Sequence, residues 1–220
     1  MAIEKGKVEL QPGAIAPVER GLWHAASEKL RKAAAGIKQM KDAKDRIEYE
    51  NGWTRLVDSL EEFWTRFFDE GKSTFSSFPP WAGAIDAKRK GDQLLTYLYQ
   101  ARHQSQHGRI ALEWEVGRIH IGSGEFSGTV RDLKIFSDGS FQADVNKTPG
   151  SEAKFQCIYD PGKARLPTIQ NKKHNQKFPP PSAHIEQLID APSPIDAGRL
   201  GVAFYEDVLR LGLEKFGKAP

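Results

Sequence analysis

Apolar residues recur at spacings of three and four along the first hundred positions, which is the period of a helix with one buried face. From Pro17 to about Lys38, the positions Val18, Leu22, Ala25, Ala26, Leu30, Ala33, Ala34 and Ile37 share such a stripe, with charged residues between them. They predict an amphipathic helix with a proline in its first turn. A second helix is predicted from about Asp42 to Glu70, where Ile47, Trp53, Leu56, Val57, Leu60, Phe63, Trp64, Phe67 and Phe68 lie on one broad stripe and Gly71 follows as a C-terminal stop. Ser73 to Pro80 carries Ser/Thr residues and Pro79-Pro80, the composition of a connecting loop. A third helix then carries Leu94, Leu95, Leu98 and Ala101 up to Gly108.

Beyond Ile110 the period shortens to strict alternation. Arg118 to Ile121, Gly128 to Phe136, Ser140 to Val145 and Ala153 to Tyr159 have the β-branched and aromatic content of strands, and Asp138-Gly139 is a hairpin signal. Three to five antiparallel strands, a small β-meander, are predicted. Pro161 to Pro181 is proline-rich and basic and reads as an extended surface excursion. A short helix is predicted around Ala183 to Ile189. A last helix runs from Ile195 to Phe216, with Leu200, Val202, Ala203, Phe204, Val208, Leu209, Leu211, Leu213 and Phe216 as its buried positions. No internal repeat is visible. The pattern is that of an α+β protein: a helical frame over 17–108 and 195–217, with a β-meander and a basic, proline-rich loop inserted over 110–182.

A length of 220 residues fits one generous domain, and 12 Phe with 5 Trp supply large apolar surfaces for its core. The single cysteine, Cys157, cannot close an internal disulfide, which fits a reducing, cytoplasmic setting. Residues Met1 to Gln11 carry Lys5 and Lys7 without an apolar segment behind them. No stretch approaches the roughly 18 apolar residues of a membrane span, so neither secretion nor insertion is expected. The net charge of +3 is too close to balance to demand an anionic partner. Its distribution says more. Lys163, Arg165, Lys172, Lys173 and Lys177 fall in a run from Pro161 to Ile185 that has no acidic residue. Such a run is either a solvated loop or a strip that contacts phosphates.

The most chemically suggestive residues end the third helix, in Tyr97-Leu98-Tyr99-Gln100-Ala101-Arg102-His103-Gln104-Ser105-Gln106-His107-Gly108. Arg102 and His107 are five residues apart, rotated by roughly 140° around a helix, and can reach one anion from neighbouring directions. Arginine offers a planar, permanently charged fork for a phosphate, and histidine accepts or donates a proton near neutral pH. Those are the needs of metal-free RNA cleavage, in which the ribose 2′-hydroxyl attacks the adjacent phosphorus. A histidine close to a helix C-terminus also sits where the helix dipole favours positive charge, which suits a general acid.

An arginine, four intervening residues with a polar one first, and then a histidine resembles the signature of HEPN domains, helical modules many of which are ribonucleases. Arg102 matches the family's arginine, His103 its polar follower and His107 its catalytic histidine. The resemblance extends loosely to the helical frame and leaves out the β-meander. It implies a homodimer with the two motif helices sharing one cleft, RNA as substrate, no cofactor and, for a toxin of this kind, a neutralising partner protein. The basic strip would then guide RNA.

Three other readings of these residues stay open. Arg102, His103 and His107 can form a hydrogen-bonding cluster that caps the helix and fixes the β insertion, in a non-catalytic binding or scaffold protein. His103 and His107, at i and i+4, can face one Zn²⁺ if His24, His120 or Glu113 approaches in space. Glu61 or Glu62 can orient an active-site histidine. Gly122 to Gly128 lies between strands, so it reads as a turn and not as a phosphate-binding loop. Cys157 has no adjacent base and reads as a strand residue.

Overall fold

A computed structural model describes residues 21–107, 112–115, 118–121, 128–135, 141–147, 157–160, 163–171 and 174–217. Five helices dominate: α1 (His24–Asp42), α2 (Arg46–Thr74), α3 (Phe78–Gly91), α4 (Gln93–Gln106) and α5 (Pro194–Phe216). The remaining regular structure is short antiparallel strand pairs, so the protein is α+β and mainly helical. No helix among the described residues is long and apolar enough to cross a membrane.

Side chains at the helix starts take up backbone N–H groups that have no partner within the helix. Asp45 accepts from the Glu48 N–H at 2.8 Å to open α2, and Asp92 accepts from the Leu95 N–H at 2.9 Å to open α4. Ser193 accepts from the Asp196 N–H at 3.2 Å to open α5, with Pro194 in the first turn. At the head of α1, Trp23 is fully buried in a left-handed conformation (φ 61°). Two bonds to α2 hold it there: its indole N–H donates to the Phe67 carbonyl at 3.0 Å, and its backbone N–H donates to Glu70 at 2.8 Å.

Trp23 is the hub of an aromatic cluster with Phe67, Phe78 and Phe216, the ring centroids lying 4.5 to 6.3 Å from its own. Burying each such ring contributes roughly 2 to 3 kcal/mol. The apolar stripes of α1, α2, α4 and α5 converge on this core, and Leu112, Leu166 and Ile169 join it from outside the helices. The helix periodicity in the sequence marks most of the buried faces, but Ile47 of α2 and Leu211 of α5, read as stripe positions, are 69% and 44% exposed, and Ala25 of α1 is exposed as well.

Four local expectations are revised. Gly71 does not stop α2, which runs on to Thr74; the ring of Phe78 sits directly over Gly71, where a β-carbon would meet it at 2.4 Å. Pro79-Pro80 does not form a loop but sits in the first turn of α3, where a missing N–H costs nothing. Ala183 to Ile189 is not a helix. β9 (Ala183–His184) and β10 (Gln187–Leu188) form a tight hairpin whose turn residues, Ile185 and Glu186, have φ of 45° and 62°. Asp92 compensates that conformation by accepting from the Ile185 N–H at 2.7 Å and facing His184 Nδ1 at 3.1 Å. Within the basic excursion, β7 (Ile169–Asn171) and β8 (Gln176–Phe178) form another hairpin, with Asn175 left-handed at φ 49°. The predicted first turn at residues 17–20 lies outside the described residues.

The other strands are nested. β1 (Glu113–Trp114) pairs with β6 (Ala164–Arg165), β2 (Arg118–Ile121) with β5 (Cys157–Asp160), and β3 (Gly128–Ile135) with β4 (Phe141–Lys147). The outer two pairs keep one register: Glu113 faces Arg165 and Ile121 faces Cys157, with equal numbers of residues between them on both strands. In β3–β4 the register shifts between Arg131 and Lys134. Among the described residues the antiparallel strands therefore pair two by two in nested order, where a meander would order them side by side. Gly122–Ser127 and the Asp138-Gly139 turn lie outside the described residues. At β1 the Trp114 indole donates to Glu50 at 3.0 Å and meets the Tyr49 ring edge-on at 5.3 Å.

Candidate functional site

Helix α4 carries the histidines, and the β7–β8 hairpin stands beside it. The hairpin is tied to the helix by polar contacts along its length. Tyr97, buried, donates its hydroxyl to the Pro167 carbonyl at 2.7 Å; Gln104 donates to the Gln170 carbonyl at 3.4 Å; Asn171 donates to Gln100 at 3.5 Å. Burial pushes the Tyr97 phenol well above its ordinary pKa, so it stays neutral and donating.

Between helix and hairpin lies a groove of roughly 740 Å³. His103 and His107 line it from α4, and His174 lines it from the β7–β8 turn. Tyr99, one turn before His103, meets that imidazole edge-on with ring centroids 4.5 Å apart. His103's pKa is lowered from its ordinary 6.5, first by burial and next by the charge of Arg102; Glu61 opposes the shift and His107 adds to it. His103 is therefore biased toward the neutral imidazole, the form that accepts a proton.

Arg102 does not line this groove. It faces α2, with Nε 3.9 Å from Asp58 Oδ1 and without a hydrogen bond among the described residues. Ser105 donates to the Arg102 carbonyl at 2.8 Å and lies 3.4 Å from the same Asp58 oxygen. Burial raises the pKa of Asp58, against the lowering effect of Arg102 and Ser105. The helix thus brings His103 and His107 together on one side and turns Arg102 to another.

The basic strip divides in the same way. Lys163 and Arg165 lie at the β1–β6 pair, where Arg165 pairs with Glu115. Lys177 is exposed on β8, next to the groove-lining Gln176. Lys172 and Lys173 lie outside the described residues. Among the described residues, neither Glu61 nor Glu62 bonds to a histidine: Glu61 pairs with Arg89 of α3, and Glu62 pairs with Lys29. Among the described residues, no group of three or more His, Cys, Asp or Glu side chains is placed to hold a metal.

The sequence reading singled out neither His174 nor Asp58. His174 had one available signal, the following Asn175, a residue type that tolerates the left-handed turn of a hairpin. Asp58 had none, because its partner is 44 residues away in sequence. Next to the groove is a second cavity of roughly 580 Å³. Tyr99, Gln100 and Gln176 line both, so the two meet at these residues. No protein-family model, no curated protein and no solved structure matches this chain.

Proposed function

We propose that the groove beside α4 is a HEPN-like, metal-independent endoribonuclease site of a cytoplasmic protein. The observation that carries this reading is that His103 and His107, two members of the Arg-x4-His motif, line one groove, with His103 biased toward its neutral form. Neutral His103 takes the proton of the ribose 2′-hydroxyl. The 2′-oxygen bonds to phosphorus, the bond from phosphorus to the 5′-oxygen breaks, and His107 gives that oxygen a proton. The products are a 2′,3′-cyclic phosphate and a 5′-hydroxyl end. Arg102 contributes fixed positive charge one residue from His103, and Lys177 attracts the RNA backbone at the groove's edge. A homodimer and a neutralising partner protein belong to the same proposal.

The placement of Arg102 against Asp58, outside the groove, favours a second reading: a non-catalytic binding or scaffold protein with the same frame. Cleavage of a labelled RNA pool in EDTA separates the two. The nuclease reading expects His103→Ala and His107→Ala each to lose at least a hundredfold in rate, the usual scale of a general acid or base, with Arg102→Ala also slowed. Equal background in the wild type and all three folded variants would leave the binding protein.

A further inference from the structure

We propose that the cavity adjoining the histidine groove is a subsite for a guanine base of single-stranded RNA. The inference deepens the ribonuclease reading and rests on it. Aromatic side chains wall the cavity from separate elements: Trp64 from α2, Tyr99 from α4 and Phe178 from β8. Unpaired bases are commonly stacked on such rings in RNA-binding sites. At roughly 580 Å³ it lies within the size range of small-molecule sites.

Its polar groups narrow the choice. Arg89 and Lys90 balance Glu61 and Asp86, so the lining carries no net charge and suits a neutral ring over an anion. Arg89 is buried and engaged through each of its three nitrogens: Nε donates to the Tyr205 hydroxyl at 2.6 Å, one terminal nitrogen pairs with Glu61, and the other lies 3.3 Å from Asp86. Its guanidinium also lies 4.9 Å from the Trp64 ring centroid. It therefore holds the carboxylates in place, and its charge is already balanced by them. Lys90 reaches Asp86 at 2.6 Å and is largely exposed, at the rim.

Glu61 gives one carboxylate oxygen to Arg89, and Oε1 has no hydrogen bond among the described residues. A carboxylate only accepts, so its ligand must present N–H or O–H donors, and from the edge of a base these are N–H groups. Guanine is the one common RNA base with two adjacent N–H donors, N1–H and the 2-amino group, on its Watson–Crick edge. Adenine, cytosine and uracil each place an acceptor beside their donor, which a carboxylate repels. Because Tyr99, Gln100 and Gln176 belong to both cavities, a base held here sits one step from the histidines.

Calorimetric titration of the full chain tests this. GMP is expected to bind at least tenfold tighter than AMP, CMP or UMP. Inosine monophosphate, which lacks only the 2-amino group, is expected to bind about tenfold more weakly than GMP, a comparison that needs no variant. Glu61→Gln should erase the preference of GMP over inosine monophosphate, and Phe178→Ala should weaken every nucleotide. Equal affinities, or no binding, overturn the subsite. Uncleavable 2′-O-methyl hexamers distinguish RNA from free nucleotide: a guanine-containing hexamer should bind tighter than both GMP and its adenine counterpart, whereas GMP binding as tightly as the hexamer overturns the RNA assignment. Cleavage of ordinary RNA without guanine preference defeats this subsite alone. Guanine binding without cleavage defeats the nuclease reading and leaves the base site standing.

Discussion

His103 is where a single residue's environment bears most directly on the proposed chemistry. Burial, and then the charge of Arg102, set its pKa below 6.5. The folded value thus lies below the unfolded one, and the folded state holds fewer protons between them. The stability linked to this group is present above pH 6.5 and is lost as pH falls through the lower folded value. In the proposed nuclease mechanism, with His103 as base, the same shift would set the acidic limb of the rate. The rate is expected to rise with pH through a midpoint below 6.5, and Arg102→Gln should move that midpoint upward by removing the nearby charge. A midpoint at or above 6.5 that Arg102→Gln leaves unmoved would rule out His103 as the base. The histidines were legible as residues, because their types and spacing carry chemical meaning. The role of Arg102 was not, because one helix presents positions 102 and 103 to different neighbours.

Among the elements, the crossing of α1 and α2 depends on two glycines. A β-carbon on Gly36 would meet the Gly52 carbonyl oxygen at 2.7 Å and the Leu56 nitrogen at 2.9 Å; one on Gly52 would meet the Gly36 carbonyl oxygen at 2.8 Å. Backbone cannot yield as a flexible side chain does. Gly36→Ala and Gly52→Ala are each expected to destabilise the fold by about 1 to 3 kcal/mol, read as a lower urea midpoint at unchanged slope. Gly83 in α3 faces open space and is the control: Gly83→Ala should be neutral or slightly stabilising. Sequence pattern found four of the five helices from their periodic stripes. It missed α3 because Pro79-Pro80 reads as a breaker when its place in a first turn is unknown. It made β9–β10 a helix because the contacts from Asp92 that fix Ile185 and Glu186 in a left-handed turn come from a residue some ninety positions away.

For the molecule as a whole, the β2–β5 and β3–β4 pairs are nested between Glu115 and Lys163, just beyond the β1–β6 pair. Ile121 and Cys157 face each other in register, so a two-residue turn can close the hairpin there. Replacing residues 122–156 with Asn-Gly is expected to leave the helical far-ultraviolet signal per helical residue intact and the melting temperature within a few degrees, because Trp114, Leu112 and Leu166 still anchor the β1–β6 pair. A collapse of the helical signal would show that residues 122–156 carry core stability.

The sequence by itself determined what local chemistry encodes: which residues alternate, which recur at helical spacing, and that two histidines end an amphipathic helix. Those properties depend on neighbours within a few positions. Only the tertiary structure decided that the β7–β8 hairpin stands beside α4, that His174 joins His103 and His107, that Arg102 turns to Asp58, and that Arg89 holds Glu61 and Asp86 beside aromatic rings. Each of those joins residues tens of positions apart, and what brings them together is the burial of apolar faces, which is proportional to area and blind to which polar groups it carries along.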